Sequence, residues 1–334
     1  MPFEKKLNSL FNFDPLPPIL TLTPPWKYSK PNIRLDMTLI PKTLNPYPFF
    51  AALQDIISEF PDHIHCYTDG SRSRDRTACA YSVALSIHSH RLRNSFSVFS
   101  AELTAIHLCI QSLSKSPPNS KFIVFTDSLS SLNAFQNPYS THPLTQRILL
   151  TLHSLSSADI HIVFVWIPAH IGIKGNESVD RAAKLATKFP KITFPSKATS
   201  SDLALYYRGH IYKQWHYLWH NQQNNKLRQI KKAPIPWSSS FRKSRHEESV
   251  ITRLRIGHSL ITHAHLLNNL FPLSCPKCQS DKFSIDHLFS CPLLSTLRNH
   301  YSIPPNRPSA LQNNPSSIDN VISFLKHANL FQYI

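Results

Sequence analysis

Glycine is scarce in this chain, with five in 334 residues, so each one is expected to answer a backbone need. Acids are short as well: 19 Asp and Glu stand against 36 Lys and Arg, a net charge of +17. That balance disfavours cationic partners and favours polyanions, of which nucleic acid is the default for an intracellular chain. No apolar run reaches the roughly 18 residues of a membrane span. The opening residues Met-Pro-Phe-Glu-Lys-Lys lack the apolar stretch of a secretory signal, so the expected location is inside the cell, in nucleus or cytoplasm. Without an export signal, the six cysteines do not read as a disulfide framework.

What is present divides unevenly. Residues 1–60 hold 10 of the 27 prolines, in runs such as Pro15-Leu16-Pro17-Pro18, which excludes a central strand and reads as an extended arm or linker. Within it, Phe49–Phe60 has the pattern of a short amphipathic helix. Residues 1–190 carry 18 basic and 13 acidic residues and residues 191–334 carry 18 and 6, so the C-terminal part is the stronger electrostatic anchor. Cys66, Cys79 and Cys109 sit in apolar runs and read as buried thiols, whereas Cys275, Cys278 and Cys291 cluster with histidine.

From His63 the pattern becomes regular. A first strand ends at Asp69, where Gly70 breaks it, and a polar turn over Ser71–Thr77 follows. Cys79–Ile87 and Arg91–Val98 alternate as an antiparallel meander. Ser100 is placed to cap a helix with Leu103, Ile106, Ile110 and Leu113 on one face. A fourth strand, Lys121–Thr126, runs into Asp127, and a helix with Leu129, Leu132 and Phe135 follows. Pro143 opens another helix, Ile160–Ile167 is a fifth strand, and Asn176 is placed to cap the last helix. The order β-β-β-α-β-α-α-β-α implies an α/β fold, a mixed sheet with helices on both faces, whose active edge lies at the C-terminal ends of the parallel strands.

Two strands that each end on Thr-Asp deliver Asp69 and Asp127 to one edge if they are neighbours. Glu102 and Asp180 lie near the starts of two helices. A first-turn acid also suits a helix N-terminus, so each of the four taken alone has a structural explanation. Four carboxylates around one point would repel one another without cations, and they suit two hard divalent ions. Such ions, about 3.5–4 Å apart, can clamp the attacking and leaving oxygens of a phosphodiester.

Tyr67-Thr68-Asp69-Gly70-Ser71, Ser100-Ala101-Glu102-Leu103, Phe125-Thr126-Asp127-Ser128 and Trp166-Ile167-Pro168-Ala169-His170, with Gly175-Asn176-Glu177-Ser178-Val179-Asp180, resemble the ordered signatures of ribonuclease H. The nearest likeness is to the ribonuclease H domains of non-LTR (LINE-type) retrotransposons, over residues 61–190. The resemblance implies a five-stranded mixed sheet and Mg²⁺- or Mn²⁺-dependent cleavage of the RNA strand of an RNA–DNA hybrid. It also implies that Asp69 bridges two metals, that Asp180 helps hold the metal activating water, and that Glu102 and Asp127 hold the metal at the leaving oxygen. His170 matches a histidine that assists proton movement and product release. The chain departs from relatives in lacking glycine at Thr77-Ala78-Cys79 and in showing no basic protrusion.

Residues 191–256 form a basic aromatic segment: eleven Lys or Arg between Arg208 and Arg255 are interleaved with Tyr206, Tyr207, Tyr212, Trp215, Tyr217, Trp219 and Trp237. This pattern suits phosphate contacts with base stacking, or equally a helical linker with buried aromatics. In the segment 257–300, Cys275, Cys278, His287 and Cys291 have the spacing of a closed, structural Zn²⁺ site. With Arg253–His258 it resembles the zinc-binding segment that ends such retrotransposon polyproteins; His258, His263 and His265 are alternative ligands. Residues 301–334 read as a tail. The chain is thus expected to be the C-terminal part of a retrotransposon polyprotein, with an RNA–DNA hybrid as substrate and a reverse transcriptase as partner. The rivals are a non-catalytic nucleic-acid-binding protein on the same fold and a DNA-strand nuclease or integrase, which typically shows an Asp, Asp, Glu triad without the histidine loop.

Overall fold

The computed structural model describes residues 14–19, 23–41, 45–268, 271–279 and 282–334. The chain divides after Gly209 into two compact units.

The first unit is built on a six-stranded sheet. Its elements are β1 (Asn32–Arg34), α1 (Tyr47–Glu59), β2 (Ile64–Ser73), β3 (Arg76–Val83), β4 (Ser86–Arg91), α2 (Val98–Ser112) and β5 (Lys121–Thr126). They continue with α3 (Leu129–Gln136), α4 (Pro143–Ser157), β6 (His161–Trp166) and α5 (Lys174–Ala186); α6 (Ser200–Asn221) begins here and crosses the division. The strand order is β1-β6-β5-β2-β3-β4. β2, β5 and β6 run parallel, and β3 and β4 continue from β2 as an antiparallel meander. β5 is apolar along nearly its whole length because both faces are covered. Phe122 and Val124 enter one core with Ile106 and Ile110 of α2 and Ile148 of α4. Ile123 and Phe125 enter the other with Leu53 and Ile56 of α1. The two-residue period of the strand thus divides the core between the two faces. Cys66, Cys79 and Cys109 are fully buried, as their apolar settings suggested.

Several local expectations change. The resemblance implied five strands; the sixth is β1, contributed by the proline-rich segment and paired in parallel with β6. It sits at the sheet edge, where a preceding Pro31 costs no ladder bond. Leu16 of the same segment is buried, and its N–H donates to Ala198 O at 2.7 Å, so the described part of the arm is docked rather than trailing. α1 falls on the stretch where an amphipathic helix was expected. β2 does not stop at Asp69 but runs to Ser73, with the turn tightened to Arg74-Asp75 and Arg74 at φ 54°. The second hairpin turns at Ala84-Leu85, with Ala84 at φ 53°, so β3 and β4 are Arg76–Val83 and Ser86–Arg91, not Cys79–Ile87 and Arg91–Val98. Neither Ala nor Leu is a turn former, so no local signal marked that position. Ser97, not Ser100, caps α2, accepting from Ser100 N at 3.1 Å. α5 starts at Lys174 with Ile173 as its N-cap, so Asn176 lies inside the first turn rather than at the cap.

The second unit has helices and no strand among its described residues: α7 (Lys226–Ile230), α8 (Arg245–Ile256), α9 (Leu260–Asn268), α10 (Ile285–Ser290), α11 (Ser295–His300), α12 (Arg307–Ala310) and α13 (Pro315–His327). One core joins Val250, Ile251 and Leu254 of α8 with Leu288 and Phe289 of α10 and Val321, Phe324 and Leu325 of α13. Residues 301–334 therefore share a core with the cysteine cluster. α8 ends on Gly257 in the left-handed conformation, φ 81°, whose N–H donates to the Arg253 and Leu254 carbonyls of the last turn. Two arginines are structural. Arg307, almost fully buried, reaches Asp286 at 2.7 Å, Arg255 O at 3.0 Å and Gln229 Oε1 at 3.0 Å. Arg255 donates to Leu311 O and Ser239 Oγ and lies 4.8 Å over the Trp237 ring. Arg255 and Trp237 thus spend their cation and ring on each other within the fold, while Tyr212, Trp215 and Tyr217 are exposed.

Candidate functional site

Register brings the first two acids together. Thr68 of β2 pairs with Thr126 of β5, so Asp69 and Asp127 are the next residues of two adjacent parallel strands. Glu102 comes from α2, four residues past its first, and so is not the first-turn acid expected. What admits it is Gly70: a Cβ there would lie 2.5 Å from Glu102 N and 2.8 Å from Ala101 C. Glycine at this position therefore holds α2 against the strand beside Asp69, rather than ending the strand.

Asp69, Glu102 and Asp127 each offer a carboxylate oxygen, and the three oxygens lie within 4.8 Å of one another. Asp69 and Glu102 are 6% and 7% exposed. Asp69 Oδ2 and Glu102 Oε2 are buried and accept no hydrogen bond. Burial, with Asp127 and Asp180 adding repulsion, pushes the Asp69 carboxyl up to about 7. Burial and then the charges of Asp69 and Asp127 raise Glu102 well above the usual carboxylate range. Burial also raises Asp127, opposed by the Asn176 amide, whose Nδ2 is 3.5 Å from Asp127 Oδ2. Three crowded acids with two partnerless oxygens form a hard-oxygen donor set that holds either protons or a divalent cation.

Asp180 groups differently. It lies in the second turn of α5, not the first, and it clusters with His170 and Glu177, one ligand atom of each within 4.8 Å of the others. Lys184, one turn on, holds it at 2.7 Å. Asp180 still contributes repulsion at Asp69 and Glu102, so the two groups neighbour each other. His170 is exposed on the loop before α5 at φ 57°. Glu177 and Asn176 join the site without having been expected there: the sequence marks Asn176 as a cap, and the signal for it is its place four residues before Asp180 on one helix. Glu177, Asp180 and Lys184 follow the three- and four-residue spacing of a single helical face.

In the second unit, Cys275, Cys278, His287 and Cys291 converge with all four ligand atoms within 4.8 Å. Cys275 Sγ is 4.0 Å from Cys291 Sγ and Cys278 Sγ is 3.2 Å from His287 Nε2. Tetrahedral bonds of about 2.3 Å to sulfur give edges near 3.8 Å, so the set fits one Zn²⁺. The Ser284 side chain caps α10 by accepting from His287 N at 3.0 Å, which fixes the helix that carries the imidazole. None of the six cysteines is in a disulfide. His258 and His263 face each other at 4.1 Å between ring centroids, and no metal-binding group forms around them among the described residues.

The family model described as RNase H matches residues 61–188, a span containing Asp69, Glu102, Asp127, His170, Glu177 and Asp180 and excluding the cysteine cluster. No curated protein matches the chain. The match, the mixed sheet and the meander agree that this span is a ribonuclease H domain, the domain type that hydrolyses RNA–DNA hybrids. No helix among the described residues is long and apolar enough to cross a membrane.

Proposed function

We propose that the ribonuclease H domain at residues 61–188 is a working endonuclease that cuts the RNA strand of RNA–DNA hybrids with two divalent cations, Mg²⁺ or Mn²⁺. The observation that carries this reading is the convergence of Asp69, Glu102 and Asp127 with two buried oxygens that nothing in the protein satisfies. A domain kept only for binding has no need of that repulsion, which opposes an anionic substrate. The cations, when bound, supply Lewis acidity at the phosphate and lower the pKa of the attacking water.

The chain's own residues do the rest. Asp69, which is grouped with Glu102 and Asp127 and feels the charges of Asp127 and Asp180, would help hold the cations, the central role that the ribonuclease H resemblance implies. By the same resemblance, Glu102 and Asp127 would hold the cation at the leaving oxygen and Asp180 would help hold the one that activates water. Asn176, through its amide at 3.5 Å, orients Asp127. His170 stands exposed beside Glu177 and Asp180, where it can carry a proton between the site and solvent.

The further context is of the same standing. A ribonuclease H domain followed by a Cys₃His cluster supports a retrotransposon origin, action beside a reverse transcriptase, and a location in nucleus or cytoplasm. We assign the nuclease to residues 61–190, a proline-rich arm to 1–60, and a basic segment, zinc module and tail to 191–256, 257–300 and 301–334. Zn²⁺ at Cys275, Cys278, His287 and Cys291 would be structural, since four protein ligands leave no open position.

The test is cleavage of an end-labelled RNA–DNA hybrid in Mg²⁺, with Asp69→Asn as the paired control. The parent should cut and the variant should not. A parent that binds the hybrid but leaves it whole in both Mg²⁺ and Mn²⁺ is a binding protein.

A further inference from the structure

The second unit carries a surface that hybrid cleavage does not use. Between residues 210 and 246 there are eight Lys or Arg and no Asp or Glu, while the whole unit has fifteen and five. This stretch contains the C-terminal half of α6, where Tyr212, Trp215 and Trp219 follow three- and four-residue spacing and so share one helical face. Tyr212 and Trp215 are 43% and 51% exposed, and their rings lie nearly parallel, 11° apart with centroids separated by 6.5 Å. Trp219 is fixed instead, its Nε1 donating to Lys231 O at 2.9 Å.

The residues that follow in the chain line an open pocket of about 680 Å³, formed by His220, Gln222, Gln223, Arg228, Gln229 and Lys232, with Asn224 and Asn225 completing its wall. Its chemistry is amides and cations, with no acid. The Asn225 side chain caps α7 by accepting from Leu227 N and Arg228 N, and Gln229 is held by Arg307. Gln229 thus ties one side of the cavity to the fold's buried arginine, while Gln222, Gln223, Asn224 and Asn225 lie on the connection between α6 and α7.

We propose that this surface binds single-stranded nucleic acid: successive bases stack on Tyr212 and Trp215, and the strand continues into the amide-lined cavity beside Arg228 and Lys232. The occupant follows from the chemistry. Exposed parallel rings need flat, unpaired faces, which a duplex keeps inside its own stack. Cations without acids match a phosphate backbone. Amides can donate to and accept from base edges without selecting one base. The surface is independent of the carboxylate cluster and stands whether or not that cluster cuts.

The experiment uses the full chain carrying Asp69→Asn, so that no substrate is lost, and a fluorescein-labelled dT₁₅ or rU₁₅ read by anisotropy. Tyr212→Ala with Trp215→Ala should weaken binding about tenfold or more, since stacking is worth roughly 1–3 kcal/mol per base. Lys232→Gln should lower the slope of log affinity against log salt by about 0.7. In chains with Asp69 restored, cleavage or binding of a blunt hybrid should be unchanged by the aromatic pair. Tyr212, Trp215 and Lys232 are exposed, and a melting curve unchanged from that of the Asp69→Asn chain verifies folding. The proposal is overturned if the aromatic pair leaves single-strand affinity unaltered in a folded chain. It is equally overturned if the parent sediments as a dimer that the pair dissociates, since the face is then covered by a second copy.

Discussion

Replacing Asp69 with Asn should stabilise the cation-free protein, and by an amount that depends on pH. The carboxyl ordinarily titrates near 3.8 and is held at about 7 in the fold. A raised carboxyl pKa means that the native state binds the extra proton. Its contribution to stability is full below about 3.8 and is lost as pH rises towards 7. At pH 8 the native state then holds an ionised Asp69 against Asp127 and Asp180. Linkage allows up to roughly 4 kcal/mol for the difference, and sharing of protons with Glu102 and Asp127 lowers it towards 2. The amide keeps the shape and removes the charge. In EDTA at pH 8 the variant should melt on the order of 5–15 °C above the parent, a gain that shrinks to nothing near pH 4. Adding Mg²⁺ should reverse the order, because the parent then gains RT ln(1 + [L]/Kd) and the variant gains less. Thermal melts of both proteins from pH 4 to 8, with and without Mg²⁺, measure this directly. A parent and variant that melt together across that range would refute the view that Asp69 is a charge strained for a cation.

Three further outcomes follow from the same geometry. Gly70→Ala places a Cβ against the α2 backbone at 2.5 Å, so α2 must move; the cost should be about 1–3 kcal/mol, and cleavage should fall with it because Glu102 moves too. Denaturant melts and hybrid cleavage read the two effects. Elemental analysis should find zinc in the parent and not in Cys278→Ser, and a chelator should destabilise the parent but not the variant. His170→Ala should slow cleavage by about 10²-fold or less and leave Mg²⁺ stabilisation intact, in contrast to Asp69→Asn, since an exposed loop imidazole moves protons and does not hold the site together.

Much of this protein was legible in its sequence because the signals were local and repeated. Apolar runs identified Lys121–Thr126 and Ile160–Ile167 as strands, the second observed as His161–Trp166, and helical spacing identified the buried faces of α2 and α4. Two strands ending on Thr-Asp predicted the meeting of Asp69 and Asp127, because parallel neighbours with the same ending must bring those ends to one edge. The cysteine and histidine spacing was enough to assemble a four-ligand cluster.

What the sequence left open depended on partners far away along the chain. Gly70 looked like a strand breaker, and only the approach of α2 shows that its missing Cβ is space for Glu102. Asn176 looked like a cap, and only the packing of α5 against β2 and β3 turns its amide towards Asp127. For Arg255 and Trp237 the sequence left nucleic-acid contact and burial in a helical linker equally open, and the second unit buries the arginine and stacks it on the indole. Composition fixes which side chains are available to satisfy charge, and hydrophobic period fixes which elements form. Which charges are spent inside the fold and which remain for a ligand is decided only when those elements pack, because desolvation is a property of the assembled neighbourhood and not of the residue.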